Sequence, residues 1–121
     1  MPKSVFALGL DPACVDLTPF PGLTPDLVRA FIEAQLERLR GLGYEVESCL
    51  VDLGDTAEAV TARRLAERDF DIVMIGAGLR APPHLLLFEK LLNLVHQHAP
   101  GAKICFNTTP ADTAEAVQRW I

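Results

Sequence analysis

The sequence is poor in cysteine, in aromatic residues and in positive charge. Its three cysteines, Cys14, Cys49 and Cys105, form no C-x-x-C pair. An odd, scattered set excludes a disulfide scaffold and reads as free thiols in a reducing compartment. No apolar run approaches the roughly 18 residues that a membrane-spanning helix needs; the run from Leu85 to Phe88 is broken by Glu89 and Lys90. Met1-Pro2-Lys3 leads straight into a strand-like segment, without the apolar stretch and cleavage site of a secretory leader. The expected compartment is the cytoplasm, and no membrane partner is expected. Eleven Lys and Arg stand against sixteen Asp and Glu, a net charge of −5. A domain of that sign repels phosphate backbones, so nucleic acid is not an expected partner either.

What the chain does have is apolar content, 50% of 121 residues, arranged in four strand-then-helix units with no Gly- or Ser-rich linker between them. Residues 1–121 read as a single α/β domain. Residues 4–10 and 71–76 carry apolar side chains on both faces, through Val5-Phe6-Ala7-Leu8 and Ile72-Val73-Met74-Ile75. Such strands belong in the middle of a parallel sheet covered on both sides. Residues 44–51 instead alternate Glu45 and Glu47 with Val46, which suits an edge. Residues 102–107 supply a fourth strand. Thr24 and Pro25 open a helix with the stripe Leu27, Val28, Phe31, Ile32, Leu36 and Leu39, which Gly41 and Gly43 can close. Helices two and four begin with one hexapeptide, Asp55-Thr56-Ala57-Glu58-Ala59-Val60 and Asp112-Thr113-Ala114-Glu115-Ala116-Val117. Asp followed three residues later by Glu predicts a capping box. The repeat reads either as an internal duplication or as two caps reached independently.

Right-handed crossovers then predict strand order 2-1-3-4. The expected fold is a three-layer sandwich around a four-stranded parallel sheet, Rossmann-like and flavodoxin-like but without a fifth strand. Ligands bind such sheets beyond the carboxyl ends of the strands, where the winding reverses, here between strands one and three. Two loops meet there. Residues 11–23 exceed the roughly two to six residues usual for such a connection and read as a lid, a binding loop or an arm onto a neighbouring subunit. Residues 76–83 combine Gly76 and Gly78, which permit close backbone approach, with Arg80, a planar fork for carboxylate or phosphate. Asn107, Thr108 and Thr109 follow strand four at the same edge. The expected site is therefore Asp11, Gly76, Gly78, Arg80, Asn107 and Thr108, and the expected ligand a small anionic molecule.

No cofactor is named by these residues. Gly76-Ala77-Gly78 lacks the third glycine of a dinucleotide fingerprint and follows the third strand, and no Lys-Ser/Thr makes it a P-loop. No metal is expected: His96 and His98 are two apart on a helix and face different ways, with His84 a helix away. Cys14 lies in the long loop without a neighbouring base and reads as unreactive. Asp11 and Asp16 can act as acid–base groups, hold a cation, or simply start a turn. No catalytic set is complete enough to name a reaction, which leaves catalysis open.

Asp11 after strand one and Thr108 after strand four resemble the acidic residue and switch hydroxyl of response-regulator receiver domains. Gly76, however, stands where that family keeps its phospho-accepting Asp, and no fifth strand carries its Lys. Cobalamin-binding domains share the layout, but no D-x-H-x-x-G follows strand one. Residues 51–58, 75–80 and 87–91 through 106–108 resemble a family of small uncharacterised microbial proteins, a resemblance that covers most of the chain and implies an α/β fold without an assigned activity. Two functional classes follow: a small-molecule-binding domain, or a receiver-like regulatory or interaction domain without chemistry at the edge. A homo-oligomer, most simply a dimer, is expected on two grounds. Strand four would be an open edge protected only by Lys103. Leu85, Leu87, Phe88, Leu91, Leu92, Leu94 and Val95 also cover more of helix three than one sheet face needs.

Overall fold

The computed structural model describes residues 2–121. Strands β1 (Ser4–Leu10), β2 (Glu45–Val51), β3 (Ile72–Ile75) and β4 (Lys103–Phe106) form one sheet of order β2-β1-β3-β4. All three pairings are parallel, with Ala7 beside Ser48 on one side and Met74 on the other. The four helices are α1 (Pro25–Gly41), α2 (Thr56–Ala66), α3 (Leu85–His98) and α4 (Thr113–Trp120). This is the expected sandwich and the expected strand order, with strand ends drawn in by a residue or so.

The two faces of the sheet are built differently. On one, Phe6, Leu8, Val73 and Ile75 pack with Leu65 of α2 and Leu91 and Val95 of α3. Phe6 meets Phe70 edge-on at 5.0 Å. On the other, Val5, Ala7, Ile72 and Met74 pack with Leu36 and Leu39 of α1 and Ala116 and Val117 of α4. The second face carries the smaller side chains, and the difference creates the site described below.

Helix α1 starts as its sequence predicts: Thr24 is extended, and its Oγ1 accepts from the Leu27 N–H at 3.2 Å. The capping boxes of α2 and α4 do not form, since the side chain of neither Asp55 nor Asp112 accepts a bond from its own helix. Both have left the extended conformation in which Thr24 folds back over its helix: Asp55 has φ −70° and ψ −14°, and Asp112 has φ −120° and ψ 22°. Asp112 instead accepts from the amides of Thr108 and Thr109, in the loop behind it.

The β4 edge is less open than the sequence suggests. Arg119 of α4 donates to the Phe106 carbonyl at 2.8 Å. At the opposite edge Arg64 of α2 donates to the Ser48 carbonyl at 3.1 Å, while its partner Glu47 and the Arg68–Glu45 pair line the same strand. Of the apolar excess on α3, Leu91 and Val95 are buried and Leu85 is 57% exposed; Leu86, outside that set, is 71% exposed. Among the described residues no helix is long and apolar enough to cross a membrane.

Candidate functional site

A cavity of about 590 Å³ opens at the carboxyl end of the sheet. Its floor is the sheet face that carries α1: Ala7 and Gly9 of β1, Ser48 and Leu50 of β2, Met74 of β3, and Gly76 just beyond. Val28, Ile32 and Leu36 of α1 form the opposite wall, and Val15, Leu17, Phe20 and Leu23 of the long loop lie across the mouth. The rim is completed by Asn107, Thr108, Thr109 and Thr113. Part of the space exists because Ala7 and its register partner Ser48 are both small. At Gly9 the room is taken instead by Leu50, whose Cδ2 would stand 3.3 Å from an added Cβ. The other face of the same two strands fills the equivalent room with Leu8, Leu10, Cys49 and Val51.

Four of the six expected site residues, Gly76, Gly78, Asn107 and Thr108, line this cavity; Asp11 and Arg80 do not. Gly76 owes nothing to left-handed backbone: its φ of −71° and ψ of 153° suit any residue. A Cβ there would meet only the Gly9 Cα and the Leu8 carbonyl, both at 3.5 Å. Both are ordinary van der Waals distances, so an alanine would fit and the strand approach does not require glycine here.

Arg80 is turned into the protein. Its Nε donates to the Ile75 carbonyl at 3.2 Å and its Nη2 to the Asn107 carbonyl, while the guanidinium lies 4.8 Å from the Phe106 ring centroid. Burial pulls its pKa down, partly countered by Asp112. A guanidinium so engaged ties β3 to β4 and is not presented to a ligand. Asp11 is likewise structural. Its Oδ1 accepts from the Ala13 N–H at 2.9 Å and from Arg29 of α1 at 3.1 Å. The Ala13 amide and then Arg29 hold its carboxyl below the usual range against slight burial. Asp11 thereby anchors the start of the long loop to α1.

Asn107 is the buried polar node of the rim, 5% exposed. Its Oδ1 accepts from the Ala77 N–H at 2.8 Å and its Nδ2 donates to Thr113 Oγ1 at 3.1 Å, joining the β3 loop to the start of α4. Beyond it Asp112 closes the turn. Burial would raise its pKa, but bonds from the Thr108 hydroxyl and the Thr109 and Thr108 amides outweigh this and lower it. A depressed carboxylate stabilises the fold above its unfolded value, and the contribution is lost as pH falls through the folded value. Asp112→Ala is therefore expected to cost about 1–2 kcal/mol at pH 7. In urea melts the gap to wild type should narrow as pH falls below 3.8, the ordinary value of the group. A gap that persists unchanged at pH 2.5 would place the effect elsewhere than in the charge.

Among the described residues, no three His, Cys, Asp or Glu side chains converge to hold a metal ion. Cys14 is half-buried and packs against the α2–α3 side of the core, away from the cavity. Cys49 and Cys105 are buried, and burial pushes the Cys105 thiol up to about 11.

Sequence reasoning missed the hydrophobic part of the site, Ile32, Leu36, Leu50 and Met74, and the Ser48 hydroxyl among them. The signal was present as small residues at Ala7 and Ser48, but only the strand register brings them together. No protein-family model and no curated protein matches the chain. The functional reading therefore rests on the geometry.

Proposed function

We propose that this protein is a small-molecule-binding domain whose ligand sits between α1 and the carboxyl half of the sheet, with most of its surface apolar. The observation that carries this reading is the lining. Val28, Ile32, Leu36, Leu50 and Met74 face a cavity whose walls include no Lys or Arg. Its volume of about 590 Å³ lies in the range of roughly 300–1,000 Å³ typical of ligand sites. Unfilled apolar wall on that scale is a standing driving force for an occupant that removes it from water. The anionic ligand expected from Arg80 loses its main support, because that side chain is engaged with main-chain carbonyls. A regulatory domain without a ligand would need no such opening at the switch point.

Ser48→Leu tests the reading, since the new side chain occupies the floor of the cavity. It is expected to raise folding stability by about 0.5–1.5 kcal/mol through cavity filling and to abolish the fluorescence gain of Nile red, a neutral apolar dye, on titration with the protein. Unchanged dye binding in a stably folded Ser48→Leu variant would refute the assignment.

A further inference from the structure

The polar groups of the cavity narrow the chemistry of its occupant, on the premise that the cavity is a ligand site. Three lining hydroxyls have donor capacity in hand. Thr113 is buried and its Oγ1 accepts from Asn107 Nδ2 at 3.1 Å, but among the described residues its own proton has no acceptor. The Thr109 Oγ1 accepts from the Ala111 amide at 3.1 Å and likewise donates to nothing. The half-buried Ser48 hydroxyl makes no hydrogen bond at all among the described residues. Acceptors at the rim are taken: Asn107 Oδ1 already accepts from Ala77 and Arg80.

Charge is absent in the sense a phosphate or carboxylate would need. No Lys or Arg lines the wall, and the arginines around it are engaged, Arg29 with Asp11, Arg80 with the Ile75 and Asn107 carbonyls, and Arg119 with the Phe106 carbonyl; the ionisable nitrogens of the lining are those of the His84 ring. The one carboxylate on the wall, Asp16, is exposed and accepts from the Thr18 amide at 3.0 Å. An anion entering this cavity would leave water for a wall that offers hydroxyl groups and the His84 ring but no Lys or Arg, and a cation would find no carboxylate other than the exposed Asp16.

We propose that the cavity binds a neutral, mainly hydrocarbon molecule bearing an acceptor oxygen, such as a medium-chain ketone, ester or alcohol. The apolar body lies along Ile32, Leu36, Leu50 and Met74. The oxygen takes a proton from Ser48 or from the threonines of the β4–α4 loop.

Displacement of Nile red at pH 7.5 by 1-octanol, 2-nonanone, octanoate and octylammonium, probes of similar chain length, decides the matter. The two neutral probes are expected to bind at least tenfold more tightly than either ion. Each methylene added from 1-hexanol to 1-octanol should tighten binding about fourfold. Ser48→Ala, which removes one hydroxyl at little risk to folding, should weaken 1-octanol about three- to tenfold. Tightest binding by octanoate or by octylammonium would overturn the proposal, as would equal binding of all four, which would leave the polar groups idle while the cavity assignment stood. Failure of every probe together with Nile red would remove the ligand site itself, and this proposal with it.

Discussion

Asn107→Leu is expected to cost about 3 kcal/mol, whereas Asn107→Asp should stay within about 1 kcal/mol of wild type near neutral pH. Leucine preserves the approximate shape but strands the Ala77 amide and the Thr113 hydroxyl that Asn107 joins at 2.8 and 3.1 Å. A buried group left without its partner forfeits about 1–3 kcal/mol, and two are stranded here. Aspartate still accepts from Ala77, gains charge complementarity with Arg80, and can receive the Thr113 hydroxyl by a simple rotation of that proton. For a domain of this size 3 kcal/mol is roughly 10 °C in midpoint temperature. Thermal melts of both variants suffice. Equal losses would mean that side-chain volume, not hydrogen bonding, is what Asn107 contributes.

The second large effect contrasts the two faces of the sheet. Phe6→Ala should cost about 3–5 kcal/mol, because Phe6 is fully buried in the central strand with Phe70 against its ring at 5.0 Å. That is a large share of the roughly 5–15 kcal/mol that holds an ordinary domain together. Ile32→Ala removes an equally apolar side chain from α1, yet should cost only about 1 kcal/mol. Ile32 is half-buried and already faces open space, so its truncation loses few packing contacts. Urea denaturation at constant slope reads both values. An Ile32→Ala variant as damaged as Phe6→Ala would show that the α1 wall is packed shut in solution.

Much of the fold was legible because the strands differ in kind. Val5 to Leu8 and Ile72 to Ile75 are apolar on both faces, which only a covered central position tolerates, while Glu45 and Glu47 require an edge where Arg68 and Arg64 can reach them. Those facts, with right-handed crossovers, leave one strand order. The crevice followed from the order alone. Its chemistry did not. Arg80 read as a ligand fork because sequence carries no account of which carbonyls lie nearby, and two of them, on Ile75 and Asn107, claim it. The capping box of α4 failed for a related reason: the residue types were right, but the loop behind Asp112 offered competing amides from Thr108 and Thr109. The cavity itself was unreadable in one dimension, since Ala7 and Ser48, far apart along the chain, are brought side by side only by the strand register.

The guanidinium groups of Arg64 and Arg119 occupy one main-chain oxygen on each outer strand, the Ser48 and Phe106 carbonyls. An incoming extended peptide must displace them before it can extend the sheet. Because arginine keeps its proton throughout the range in which proteins stay folded, this barrier to strand addition does not switch off in acid or in mild alkali, as one built on histidine or carboxylate would. It stands or falls with the two helices that carry it. Fraying of α4, only eight residues long, would bare the β4 strand. Growth of ordered aggregates in this protein should therefore track the opening of its final helix more closely than the pH of the solution.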